Sequence, residues 1–374
     1  MTKNCDRMII VDPGKNAVKV FSVKEDGTLD KVFSFPSKTE AKRNFRGIDG
    51  SSALQFKVEI NGQKYIVGEG VKRTYNFEIT KNNDHHKLCV LTAIANVVEK
   101  DNEKIDLVVG YPSSDFENEK QRKEFEELLL GDKKGDISLH LNDEKKTFTI
   151  SSITVKPEGM ALFPRMQSKE QKNFHIIDIG GQNVNYREYD AKGNTVNSCS
   201  LDKAGINHLE QYIKTELRKV VQADEINVSE LDVLQSISDG RIVEVNNIDG
   251  YKDSAEFIED VVCNFIEIRI IDELSGRGVS IEQKGHYIIF TGGGSLRLEN
   301  YLKSLLPHNT SNMDFSKTAK WDNCISYSMR HIPEVQKDKK KLVAMFAKIV
   351  SQVKEKDFEK SRNPFLKEDD KVAL

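Results

Sequence analysis

The sequence predicts an α/β fold made of two similar halves, and three observations carry that prediction. A strand-then-turn motif occurs twice, as MIIVDPGKNAVKV (8–20) and HIIDIGGQNV (175–184). Asp12, Gly14 and Val18 fall on Asp178, Gly180 and Val184 at one constant offset of 166 residues, the kind of internal repeat to be sought before any other reading. The run IDLVVGYP (105–112) is apolar but for Asp106, as central parallel strands largely are. Strand-like and helix-like periodicities alternate along the 374 residues, a length that favours roughly two or three units of ~100–200 residues each.

Taken in order, MIIVD (8–12) and the alternating AVKVFSV (17–23) read as two strands joined by a tight turn at Pro13-Gly14. The polar stretch 37–52 reads as a surface loop. FKVEINGQKYIVG (56–68) reads as a hairpin turning at Asn61-Gly62. HKLCVLTAIANVVEK (86–100) is expected to be a largely buried helix through Leu88, Leu91, Ala95 and Val98. Ser114 and Glu117 suggest a capping box for a helix over 115–130 that Gly131 ends. A hairpin is expected over 137–155 and strands near 174–178, 183–189 and 195–201. Helices are expected over 206–221, 229–238 and 253–275, then strand and glycine turn over 286–295 and a helix over 296–306. After Pro333 the chain is charge-rich; helical periodicity persists over 339–356, and little order is expected beyond Phe358.

Composition narrows the function classes. With 59 acids against 56 bases the net charge is −3, so no global basic excess points to nucleic acid. Cys5, Cys89, Cys199, Cys263 and Cys324 are scattered without a C-x-x-C spacing and read as reduced thiols of a cytoplasmic protein, not a metal cluster. The N-terminal residues carry no secretory h-region, and no stretch reaches the ~20 apolar residues that span a membrane.

An isolated Asp-x-Gly is an ordinary turn; its repetition in matching strand context is what gives it weight. Glycines let backbone N–H groups approach a ligand closely. Two such hairpins could hold a polyphosphate, with the acids holding Mg²⁺ through water because an acid repels phosphate directly. The third element, Gly292-Gly293-Gly294-Ser295 in IIFTGGGS (288–295), leaves bare backbone where a phosphate or a flat purine could sit. By itself it would be a strand-to-helix turn.

In this order the motifs resemble the actin, sugar-kinase and heat-shock-chaperone ATPase superfamily, and within it the bacterial actin-like plasmid-partitioning proteins of the ParM and Alp type, over about residues 8–332. DPGKNAVK resembles the first phosphate loop, through Asp12, Gly14, Lys15, Asn16 and Lys19. DIGGQNVN resembles the second, through Asp178, Gly180, Gly181, Gln182 and Asn183. TGGGS resembles the adenosine motif, LDKAGINHLEQYI (201–213) the segment opening the second outer subdomain, with Gly205 at a turn, and KWDNCISYSM (320–329) the segment returning to the first half. VKPEGMALF (155–163) places Glu158 where the branch orients an attacking water; Pro157-Glu158 is equally an ordinary helix opening. Asn183 and Asn185 stand where the second loop commonly carries Thr or Asp, so they can donate hydrogen bonds but add no charge.

The resemblance implies an actin-like fold, two halves around a nucleotide cleft, each with an inner α/β core and a smaller outer subdomain. The first half would comprise 1–36 with 85–170 (inner) and 37–84 (outer). The second would comprise 171–204 with 276–318 (inner) and 205–275 (outer). Residues 319–356 would return to the first half, and 357–374 would be a disordered tail. It implies a nucleotidase using ATP or GTP with Mg²⁺, with Glu158 and Asp178 catalytic and Asp12 and Asp178 the water-mediated metal ligands. Partners would be further copies of the chain in a head-to-tail filament and a DNA-bound adaptor, with no direct DNA binding and no membrane. A small-molecule kinase of the superfamily and a non-motile cytoskeletal scaffold stay open as alternatives; the few residues after Pro333 leave no room for a chaperone's substrate domain.

Overall fold

In the computed structural model the described residues are 5–24, 29–46, 48, 52–71, 80–113, 115–132, 134–159, 173–190, 194–221, 227–228, 231–243, 245, 248–281, 286–330, 347 and 349–351. Contacts divide the chain into two units: Met1–Lys156 with Asn323–Leu374, and Pro157–Asp322.

The first unit is built on a nine-stranded sheet in the order β3-β2-β1-β7-β9-β8-β5-β6-β4. Its strands are β1 (Arg7–Pro13), β2 (Ala17–Val23), β3 (Leu29–Pro36), β4 (Thr39–Lys42), β5 (Gln55–Ile60), β6 (Gln63–Gly68), β7 (Glu103–Tyr111), β8 (Asp136–Leu141) and β9 (Glu144–Pro157). β1 is antiparallel to β2 and parallel to β7. β1 and all of β7 but Lys104 are buried, which is why their centres, Met8–Val11 and Leu107–Val109, read as apolar runs. The Asn61-Gly62 hairpin has φ of 51° and 73°, the left-handed pair a two-residue turn of this kind requires. Helix α1 (Asp84–Val97) packs its apolar residues against the sheet, and Asn83 caps it by accepting the His86 N–H.

The second unit carries a five-stranded sheet, β12-β11-β10-β13-β14, from β10 (Phe174–Ile179), β11 (Asn183–Tyr189), β12 (Thr195–Asp202), β13 (Tyr287–Thr291) and β14 (Met313–Phe315). β10 is antiparallel to β11 and parallel to β13. β10, β11, β12 and β13 therefore repeat the arrangement of β1, β2, β3 and β7. The apolar faces of α3 (Ile206–Val220), α4 (Val233–Asp239) and α5 (Ser254–Ile266) close this unit's core with Ile177, Val184, Ile288 and Phe290.

The structure corrects several boundaries. The polar stretch 37–52 contains a strand, β4, which pairs with β6 at the sheet edge. The helix expected at 115 is α2 (Glu119–Leu130), because Asn118 rather than Ser114 caps it, accepting the Gln121 N–H; Ser114 itself lies outside the described residues. The helix expected over 229–238 begins at Val233, where Asp232 caps it, and that over 253–275 is α5, a π segment over Glu267–Ile271 and α6 (Asp272–Gly276). The helix expected from 296 is α7 (Glu299–Leu305), since a turn follows the glycines. α8 (Asp322–Arg330) follows β14. The helix expected over 339–356 and the tail lie, apart from residues 347 and 349–351, outside the described residues. All five cysteines are free thiols. No helix among the described residues is long and apolar enough to cross a membrane.

Candidate functional site

The first turn is assembled by register. Asp12 stands opposite Lys19 across β1 and β2, and Lys19 Nζ lies 2.9 Å from Asp12 Oδ2. Asn323, in α8, places Nδ2 3.4 Å from the same oxygen. Gly14 N–H donates to the Asp12 carbonyl at 2.9 Å, and a side chain at Gly14 would meet the Ala17 carbonyl at 2.8 Å, so this turn closes only over glycine. The Asn16 carbonyl accepts from Ser37 N–H at 3.0 Å, fixing the far side of the turn to the start of the next segment. Lys15 and Asn16 are half-buried.

Asp12 is 1% exposed. Burial by itself pushes a carboxyl up, but the charges of Lys19 and Lys81 and the hydrogen bonds from Lys19 and Asn323 outweigh it and hold Asp12 below the usual carboxylate range. Its other oxygen, Oδ1, is buried with no hydrogen-bond partner among the described residues. A buried ionised oxygen left so is the kind of atom a ligand or its hydration shell completes.

The second turn repeats the first. Asp178 stands opposite Asn185, 166 residues beyond the Asp12–Lys19 pair, and beside Thr291 on the parallel strand. Gly180 N–H donates to the Asn183 carbonyl at 3.0 Å and closes the hairpin. The start of α3 then grips the turn from behind. Gly205, Ile206 and Asn207 donate their N–H groups to the carbonyls of Gln182, Gly180 and Gly181 at 3.2, 3.0 and 2.8 Å. A side chain at Gly205 would sit 2.5 Å from Gly181, so glycine is what allows the grip. Every peptide among the described residues is trans, and a trans peptide points its N–H opposite to its C=O. Carbonyls of 180, 181 and 182 turned to the helix therefore direct the N–H groups of Gly181, Gln182 and Asn183 away from it. Three successive amides so aimed form an anion-binding concavity. The amides of Gln182 (Nε2) and Asn207 (Nδ2) are buried with no partner among the described residues, and both are donors. The Asn183 side chain is otherwise engaged: its Nδ2 reaches Asn185 Oδ1 at 3.1 Å and Ser200 Oγ at 2.9 Å.

The glycine turn after β13 packs on this loop. Gly292 has φ +83°, and a side chain there would fall 2.2 Å from Asp178 Oδ1; one at Gly294 would meet Ile206 at 2.4 Å. Gly294 N–H donates to the Ile179 carbonyl at 3.0 Å, and the buried Ser295 hydroxyl to the Gly292 carbonyl at 2.9 Å. Gly293 alone has open space around it. It borders a cavity of about 680 Å³ shared with Ser238, Asp239, Glu259, Arg297 and Tyr301. Arg297 is tied there to Ser238 Oγ at 3.0 Å. Only the middle glycine thus offers bare backbone; its neighbours are fitted against Asp178 and Ile206.

Glu158 is 9% exposed and follows directly on β9, whose last residue is Pro157, so the proline ends a strand and opens no helix at that residue. Gly159, at φ +67°, lies so close to the second turn that a side chain would meet Asn185 Cβ at 3.3 Å and Asp178 Cβ at 3.8 Å. The turn that carries Glu158 and Gly159 is thereby brought, at Gly159, beside Asp178. The rest of the VKPEGMALF motif, from Met160, lies outside the described residues.

Lys81, Asn207 and Asn323 are contributors that reading the sequence passed over. Nothing in the local pattern marks them: Lys81 precedes a helix as any polar residue does, and Asn207 is one more polar residue in a first helical turn. Among the described residues no group of three or more His, Cys, Asp or Glu could hold a metal ion. Each turn thus carries a single buried carboxylate, Asp12 in the first unit and Asp178 in the second.

Residues 11–160 match the family model described as actin like proteins N terminal domain. No curated protein sequence matches. Among solved structures, the chain is similar to the Alp12 filament structure (23% identity over 86% of this chain and 97% of that one, TM-score 0.58). It is similar to a 15-stranded ParM filament from Clostridium botulinum (19%, 86% and 98%, TM-score 0.62). It is also similar to Ta0583, an archaeal actin homolog, in complex with ADP (17%, 87% and 99%, TM-score 0.60). The chain therefore has an actin-like fold, similar to those of the Alp12 and ParM filament structures, and its residues 11–160 match the actin-like N-terminal domain.

Proposed function

We propose that this chain is a nucleotide-driven filament former that binds ATP or GTP with Mg²⁺, assembles head to tail with copies of itself, and hydrolyses the nucleotide. The observation that carries the reading is the duplicated hairpin: two acid-glycine turns in one register, each with a buried acid and glycines fitted to its own surroundings. On this reading Gly14, Lys15, Asn16 and Lys19 bind phosphate from the first turn. The backbone amides of Gly181, Gln182 and Asn183 bind it from the second, behind Gly180 and braced by Gly205. Gly292, Gly293, Gly294 and Ser295 border the nucleoside. Mg²⁺, held through water by Asp12 and Asp178, would neutralise charge on the β- and γ-phosphates. Glu158 and Asp178 would be catalytic, Glu158 accepting a hydrogen bond from the attacking water and aligning it.

The relatives support assembly and nucleotide use by their own behaviour: two are filaments and a third is an ADP complex. Head-to-tail contact between identical copies is heterologous and does not close, so it yields open filaments. We further propose that the filament segregates plasmid DNA in the cytoplasm through a DNA-bound adaptor, since the net charge of −3 offers no general attraction to a phosphate backbone.

Light scattering and pelleting after addition of ATP or GTP with Mg²⁺, followed by phosphate release, test the reading. Scattering that rises with one triphosphate and decays as phosphate appears is expected. Assembly indifferent to nucleotide, or a flat trace with phosphate transfer to a small molecule, would overturn it.

A further inference from the structure

The buried lysine Lys81 has no part in any motif, and its position is costly. It is wholly inaccessible to solvent, and a buried ammonium costs free energy unless fixed partners offset it. The chain around it is clamped to hold it there. Asn82 receives the Tyr111 hydroxyl at 3.0 Å and donates to the Gln121 carbonyl at 3.0 Å. Asn83 donates its N–H to the Lys81 carbonyl at 2.8 Å and its side-chain amide to the Thr80 carbonyl at 3.0 Å. Asn83 Oδ1 at the same time caps α1 by accepting from His86. The lysine is thus set by the first turn of a buried helix and by the neighbouring strand β7.

From this clamp Lys81 Nζ donates to the Gly110 carbonyl at 3.3 Å. Gly110 is the residue on which Asp12 rests: a side chain there would meet Asp12 Oδ1 at 3.3 Å and the Tyr327 hydroxyl at 2.9 Å. Asp12 Oδ1 is the oxygen without a hydrogen-bond partner among the described residues, while Lys19 and Asn323 occupy Oδ2.

We infer that Lys81 is a positioning residue of the first phosphate turn, anchored at the Gly110 carbonyl and holding Gly110, and with it Asp12, in place for a nucleoside triphosphate. The inference rests on the nucleotide reading above and deepens it. Two ammonium groups, Lys19 and Lys81, then act on one carboxylate from different elements; Lys19 comes with the turn itself, Lys81 from the start of α1. A neighbouring histidine does not add to the positive charge: His86 is held neutral, to about 2, by burial first and then by Lys81, His85 and Lys15.

The test is a double-variant cycle on the full chain, read as affinity for Mg²⁺-ATP and Mg²⁺-GTP by calorimetry. Lys81→Met should weaken triphosphate binding about tenfold or more. Asp12→Asn and the pair Asp12→Asn with Lys81→Met should bind with equal affinity, within about twofold, because Lys81 acts through Asp12. A further loss in the pair, additive with the single variants, would show that Lys81 acts elsewhere and overturn the inference. So would Lys81→Met binding as the parent does. Should Lys81→Met fail to fold, the comparison of Asp12→Asn with the pair still decides, since the pair leaves neither charge buried alone. Absence of binding in the parent overturns the nucleotide reading and this inference with it.

Discussion

Lys19 faces Asp12 with Nζ 2.9 Å from the carboxylate, and at the same place in the repeat Asp178 faces the neutral Asn185. The two turns share a backbone and differ in charge. A lysine at 19 can shift from Asp12 toward phosphate; Asn185 is already bonded by Asn183 through its Oδ1. Hydrogen bonds to charged groups contribute about 1.5–3 kcal/mol, so Lys19→Met should weaken triphosphate binding by roughly tenfold to a hundredfold. Asn185→Ala should cost several-fold less. Titration calorimetry of the two variants checks the ordering, and equal losses would mean the turns are electrostatically equivalent.

The three consecutive glycines should respond differently to alanine. Gly292 combines φ +83° with Asp178 Oδ1 only 2.2 Å from any added carbon, whereas Gly293 has open space. Backbone strain of this kind costs about 1–3 kcal/mol before the clash is counted. Gly292→Ala should therefore lower the denaturation midpoint clearly and displace Asp178, while Gly293→Ala should leave it unchanged. Because Gly293 borders the 680 Å³ cavity, that second variant should alter affinity for the nucleoside part alone. Melting curves with calorimetry separate the two effects.

The contrast shows what was legible in the sequence. A turn that gives up its side chains, flanked by strands of period two, announces itself, and both registers follow from it; the Asn61-Gly62 hairpin is legible for the same reason. Helix α1 is apolar nearly all round and could not be missed. β4 was missed because Thr39–Lys42 is a polar edge strand whose identity comes from its pairing with β6. The start of α2 was misread because two capping residues lay four apart, and only the fold decides which bonds. The π segment at 267–271 has no compositional sign. Lys81 and Asn207 were illegible because their meaning lies in burial, which is tertiary.

Stability should fall in mild acid through His175. The ring is 2% exposed, its Nδ1 lies 2.7 Å from the Tyr186 hydroxyl, and it stacks on His286 at 4.6 Å. Burial first, and then His286, lowers its titration to about 4. Unfolded histidine titrates near 6.5, so below that pH the unfolded chain takes up a proton that the fold refuses. This contribution is fully present above about pH 6.5 and is lost as pH falls from there through 4, on the order of 3 kcal/mol in all. Denaturant unfolding at a series of pH values should show the decline, and His175→Asn should flatten it across that window. An unchanged slope in the variant would place the acid sensitivity elsewhere.

Glu158 is the remaining residue whose role can be isolated. It follows Pro157 at the end of β9, and Gly159 seats the same turn within van der Waals reach of Asp178 and Asn185. A carboxylate so placed can accept a hydrogen bond from water and take its proton as the γ-phosphate departs; such bases contribute typically ~10²–10⁴-fold. Binding asks nothing of it, and assembly driven by binding asks nothing either. Glu158→Ala should therefore assemble with the parent's nucleotide dependence, release phosphate ~10²-fold or more slowly, and form filaments that persist after the parent's have decayed. Glu158→Gln should fall between them, since an amide still orients water but takes no proton. Parallel scattering and phosphate-release traces read all three quantities at once. Equal release in mutant and parent would remove Glu158 from the mechanism, and loss of assembly would make it a structural support of the second turn instead.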